Sequence, residues 1–157
     1  MRALLLAVGL AAAPALAQPA PPSPVQAAAL IGPALHVSDL DRALRFYVEG
    51  LGMTNSLQMG PAEHRETILT FGGDPRNAGI ILLSGKGSDR RVLHGSGYDR
   101  TVIRMPDLKA TAARLVAAGF AADPIRDVAS GYRMMMATDP DGYRYELVQG
   151  AAAGKPR

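Results

Sequence analysis

The chain contains no cysteine and no tryptophan. Without a thiol it can form no disulfide, carry no lipid on a cysteine, and offer neither a thiolate nucleophile nor a soft-metal thiolate ligand. Its folded part must be held by its core alone. Aromatic residues are scarce: five tyrosines and three phenylalanines give few platforms for base stacking. The 17 basic and 14 acidic residues are scattered, for a net charge of only +3. Few aromatics and no basic cluster argue against a nucleic-acid partner. The apolar run at residues 3–13 is too short to cross a bilayer, so no membrane partner is expected once it is removed.

What is present is ordinary globular material. Of 157 residues, 48% are hydrophobic and 20% charged, enough for one domain with a real core. "MRALLLAVGLAAAPALAQ" has one basic residue, an apolar run and Ala15-Leu16-Ala17 before Gln18, the pattern of a secretory signal peptide cleaved after Ala17. It predicts a periplasmic or secreted protein. Residues 18–29, beginning "QPAPPSPVQ", are Pro/Ala-rich and read as a linker. The domain is expected over residues 30–150, and residues 151–157 read as a flexible tail.

The domain contains a weak internal repeat. "ALHVSDLDRALRFYVEGLGM" from Ala34 and "VIRMPDLKATAARLVAAGF" from Val102 align at an offset of 68 residues, matching Leu35 to Ile103, Val37 to Met105 and Asp39 to Asp107. Each copy reads as a strand followed by a helix. In the first helix Leu40, Ala43, Leu44, Tyr47 and Leu51 recur at helical spacing, Ser38 with Asp41 suits a capping box, and Gly50 or Gly52 is the stop. In the second the stripe is Leu108, Ala112, Leu115 and Val116, ending at Gly119. Strands follow each helix: "RETILTF" and "GIILLS", then "YRMMMA" and "YRYELV". The last two are joined by Asp139-Pro140-Asp141-Gly142, which suits a type I turn.

This pattern resembles the vicinal-oxygen-chelate superfamily of glyoxalase I, bleomycin-resistance proteins and extradiol dioxygenases. "HVSDLDRALRFYVEGLGM" and "TDPDGYRYEL" carry the resemblance. It implies an α+β fold: two βαβββ modules, here about 30–85 and 98–150, forming curled mixed sheets around a cleft. A loop from about Gly85 to Asp99 would join them. It also implies a homodimer, because many members build clefts across two chains. The modules could pair within one chain or between chains.

Strand side chains alternate faces. If Leu35, Val37, Leu69, Phe71, Ile103, Met105, Tyr143, Tyr145 and Leu147 pack inward, then His36, His64, Glu66, Ile68, Thr70, Arg100, Val102, Arg104, Arg144, Glu146 and Val148 face the cleft. A four-residue turn would set Met135 opposite Glu146 on the cleft side, with Met134 and Met136 in the core. Metal-dependent members place ligands at four positions, which the resemblance maps to Gly32, Leu82, Arg100 and Glu146. Only Glu146 can bind a metal, and Arg is a permanent cation. The expectation is therefore no metal cofactor, with an Arg100–Glu146 ion pair where a metal would sit. A divalent ion on His36, His64, Glu66 and Glu146 is the alternative.

The residues point to an exported glyoxalase-like protein that binds a small molecule. The arginines favour an anionic or carbonyl-rich ligand. If the protein is an enzyme, lyase or isomerase chemistry is expected. Glu146 and His36 are the catalytic candidates for moving a proton. Arg100, Arg104, His64, Glu66, Met135 and Arg144 are the substrate-binding candidates. Binding without turnover, and a metal-dependent lyase or dioxygenase with unusual ligands, are the alternatives.

Overall fold

A computed structural model describes residues 28–86, 91–128 and 131–150. The expected signal peptide, nearly all of the linker and the tail lie outside the described residues. Strands β1 (Ala34–His36), β2 (Thr54–Met59), β3 (His64–Thr70) and β4 (Gly79–Gly85) form one sheet in the order β1-β4-β3-β2. Strands β5 (Thr101–Arg104), β6 (Arg126–Asp127), β7 (Arg133–Thr138) and β8 (Arg144–Gln149) form a second in the order β5-β8-β7-β6. In each, the first strand runs parallel to the last and the other pairs are antiparallel. Two βαβββ modules are thus present, as the repeat predicts.

Each module's helix follows its first strand. The first is α1 (Leu40–Leu44), running on as a π-helical stretch Arg45–Gly50, and the second is α2 (Leu108–Ala117). The repeated aspartates start them. Asp39 accepts the Arg42 N–H, and Asp107 accepts those of Lys109 and Ala110. The cap of the first helix is therefore Asp39, not the expected Ser38. The Ser38 backbone N–H instead donates to Asp141 Oδ2 at 3.1 Å, and its hydroxyl to Oδ1, which ties the start of one module to the hairpin of the other.

The two helices pack on each other. A Cβ at Gly50 would lie 2.7 Å from Leu115 Cδ2, so a larger residue there would force the Leu115 side chain to shift, and Arg114 Nε donates to the Gly50 carbonyl at 3.2 Å. One core spans both modules, with Leu35, Phe46, Tyr47, Leu82, Leu115, Met135, Tyr145 and Leu147 all buried. Phe46 meets Tyr47 and Phe120 edge to face.

Three expected core assignments change. Val116 is 64% exposed; the buried stripe of α2 is Leu108, Thr111 and Leu115. Thr111 can be buried because its hydroxyl donates to the Asp107 carbonyl at 2.8 Å. Phe71 lies just past the end of β3, beside a Gly72-Gly73 turn, and is 37% exposed. The third change is the register of β7. Thr138 pairs with Arg144, so Met135 faces Leu147 and Met136 faces Glu146. The type I turn is present, with Gly142 N–H donating to Asp139 O at 3.1 Å, but Tyr143 joins the loop as a fifth residue and Gly142 adopts φ +95°. The extra residue slips the pairing by one and exchanges the faces of all three methionines.

Candidate functional site

The two modules place the candidate residues on two separate faces. On the first sheet His36 pairs with Leu83 and Leu83 with Glu66, so these three stand in one row. They border a cavity of about 640 Å³ together with His64, Arg91 and Tyr143. His36, His64 and Glu66 are thus brought together, as expected. Ile68 and Thr70, expected on the cleft side, are buried. A β-bulge between Asn55 and Leu57 brings Ser56 over that end of the sheet, where its hydroxyl meets Thr70 Oγ1 at 2.6 Å.

Tyr143 comes from the other module, and strand parity had assigned it to the core. Instead it lines the cavity beside His36. Burial, then the Asp139 and Asp141 carboxylates, push its phenol above the ordinary tyrosine range, so the hydroxyl stays protonated. Its ring is flanked edge-on by His94, whose Nε2 lies 2.7 Å from the Asp141 carbonyl oxygen. No local sequence signal marked this residue, because the contact crosses modules.

The second face carries the charged cluster. Arg100 Nε donates to Glu146 Oε2 at 2.6 Å, so the expected ion pair is present. Arg100 also pairs with Asp99 through Nη1, and Asp99 in turn accepts from Arg144 at 3.2 Å. The hydrogen bond to Glu146 first, then that to Asp99, raises the affinity of Arg100 for its proton. Arg104 and Arg144 are exposed on the same face. Met135 is not on it: at 0% exposure it is a core residue, and Met134 and Met136 stand on the open face in its place.

The position mapped to Leu82 needs a second correction. Leu82 is buried and pairs with Leu35, just as Leu147 pairs with Ile103. The structural equivalent of Glu146, which pairs with Val102, is Ile81, which pairs with Ala34. Ile81 has no donor either. Gly32 adopts φ +140°, and a Cβ there would lie 1.9 Å from the Gly79 carbonyl oxygen, so this backbone admits no liganding side chain at position 32. With Arg100 at the third position, the donor set does not fit a divalent ion. Among the described residues no group of three or more His, Cys, Asp or Glu converges elsewhere either.

The buried network at the hairpin was not foreseen. Tyr47 donates its hydroxyl to Asp139 Oδ2 at 2.6 Å and lies 2.7 Å from the Tyr145 hydroxyl. Asp139 Oδ1 accepts the backbone N–H groups of Asp141 and Tyr143, each at 2.9 Å. Burial outweighs these donors and raises the Asp139 carboxyl above its usual range, and burial likewise raises both phenols. The network is structural: it closes the hairpin that carries Glu146.

Comparison with known proteins agrees with this architecture. The Glyoxalase/Bleomycin resistance protein/Dioxygenase superfamily matches residues 29–147, and the chain belongs to that family. It is 30% identical over 118 residues to the lactoylglutathione lyase of Haemophilus influenzae, covering 73% of this chain and 87% of that protein. Glyoxalase I from Zea mays superposes with a TM-score of 0.69 at 27% identity over 81% of this chain, which spans 46% of the maize chain. TnmS3, an antibiotic binding protein from Streptomyces sp. CB03234, gives 0.58 at 26% identity, covering 80% of this chain and 98% of that one.

Proposed function

We propose that this chain is an exported, glyoxalase-like protein that binds a small anionic or carbonyl-rich molecule beside Glu146, with no divalent ion at the family's metal position, and performs lyase or isomerase chemistry there. The observation that carries this reading is the 2.6 Å pair between Arg100 and Glu146 at the place where metal-dependent members converge their ligands. In this reading Glu146 takes a proton next to a substrate carbonyl. The Arg100 guanidinium can then donate to the oxyanion that develops. The family's homodimers support a cleft between two copies. In such a pair the first-sheet face of one copy covers the second-sheet face of the other, bringing His36 of the partner subunit towards Glu146. The exposed Val102 on the second-sheet face supports the same pairing.

The test is calorimetric binding and turnover of lactoylglutathione, the compound named in the relatives, in the presence of a chelator. Glu146→Gln should weaken binding or turnover about tenfold or more, roughly 1.4 kcal/mol. Unchanged binding and turnover would overturn the reading, and stoichiometric metal lost on Glu146→Gln would overturn its metal-free part. A second reading, binding without turnover, is favoured by the apolar side chains around Glu146 and by the likeness to an antibiotic binding protein. Saturable binding with no product would establish it.

A further inference from the structure

We propose that the open face of the second sheet is a site for a flat, apolar-bodied organic anion, anchored by Arg104 and Arg126 at the end opposite the Arg100–Glu146 pair. This rests on the reading that the ligand lies beside Glu146, and it names the ligand's class. The pairing of β5, β8, β7 and β6 sets two rows on this face. Val102, Glu146 and Met136 form one, and Arg104, Val148, Met134 and Arg126 form the next. Four apolar side chains therefore surround the one carboxylate. Val102 is 57% exposed, and Met134, Met136 and Val148 are half-buried. An open sheet face is ordinarily polar, so an apolar floor in this place requires an explanation.

The charges give the floor a direction. Arg100 already serves Glu146 and Asp99, and Arg144 serves Asp99. Arg104 and Arg126 are exposed and form no ion pair among the described residues. Because they end the second row, they remain able to take an incoming anion. The two rows lie about 7 Å apart, two residues along a strand. That is the span of one aromatic ring bearing a carboxylate at one end and a carbonyl at the other. Such a ligand would set its anion between Arg104 and Arg126, its ring on the Met134 and Met136 thioethers, and its carbonyl beside Glu146 and Arg100.

The experiment is calorimetry on the full chain in chelator, with 4-acetylbenzoate, acetophenone and lactoylglutathione as probes. The native protein should bind 4-acetylbenzoate at least about tenfold more tightly than acetophenone, which lacks the anion. Arg104→Gln should remove that preference. The double variant Met134→Gln/Met136→Gln should lose about tenfold in affinity for 4-acetylbenzoate, while Met134→Leu/Met136→Leu retains it. Equal affinity for the two ketones, an unchanged affinity in the Gln double variant, or no binding of 4-acetylbenzoate overturns the proposal. If lactoylglutathione binding still depends on Glu146 in that event, the functional reading stands and only the ligand class fails. If Glu146→Gln leaves every affinity unchanged, the functional reading fails as well.

Discussion

Replacing Tyr47 by Phe tests the weld between the modules. The phenol is fully buried, donates to Asp139 Oδ2 at 2.6 Å, and pairs with the Tyr145 hydroxyl at 2.7 Å. Phenylalanine keeps the ring packing against Phe46 and Tyr145 and removes only the hydroxyl. Loss of a hydrogen bond to a charged acceptor costs about 1.5–3 kcal/mol, and the stranded Tyr145 hydroxyl adds about 1 kcal/mol. The expected loss is about 3 kcal/mol at pH 8.

The cost depends on pH. Burial holds the Asp139 carboxyl above its unfolded value of 3.8. The folded state therefore binds that proton more tightly than the unfolded state. Stability falls as pH rises from the unfolded value through the folded one and is level above both. The Tyr47 bond holds the folded value down. Removing it raises that value further, so the penalty is full at pH 8 and shrinks as the carboxyl protonates. Urea unfolding followed by circular dichroism at pH 8 and pH 4 measures both. A loss below about 1 kcal/mol at pH 8, or equal losses at the two pH values, would refute the account.

Other perturbations probe separate parts of the fold. Gly32→Ala drives a Cβ to 1.9 Å from the Gly79 carbonyl oxygen at φ +140° and should cost about 2 kcal/mol or more, read from the denaturation midpoint. Leu115→Ala, at the helix–helix contact, should cost about 3 kcal/mol, whereas Val116→Ala should stay within about 0.5 kcal/mol in the same assay. The hydrogen bond from Arg76 lowers the Asp74 carboxyl to about 2. Its stabilising effect is complete above the unfolded value and is lost as pH falls through about 2. Titration by NMR should show this low midpoint, and Arg76→Ala should return it towards 3.8.

Much of the site was legible because period and repeat are local properties. The 68-residue offset placed Arg100 at the counterpart of Gly32, and strand alternation placed Glu146 between the inward Tyr145 and Leu147. Together with the converging ligand positions that the family resemblance implies, these anticipated the ion pair that the structure contains. Parity also put His36, His64 and Glu66 on one side of the first sheet, where they now border a common cavity. It could not show that Tyr143 lines that cavity too, since the distance between Tyr143 and His36 is set by packing between modules.

The sequence by itself determined the element order, which follows from backbone periodicity, and with the family resemblance it set Gly32, Arg100 and Glu146 at metal-ligand positions. The aspartate caps and the equivalence of Ile81 with Glu146 came from the structure. Only the tertiary structure decided the register of β7. Asp139 captures the N–H groups of Asp141 and Tyr143, making a five-residue loop from what reads as a four-residue turn. That one residue moved Met135 into the core and set Met134 and Met136 beside Glu146. A strand has a period of two, so a slip of one exchanges its faces. The loop's hydrogen bonds depend on a buried tyrosine 92 residues away in the other module.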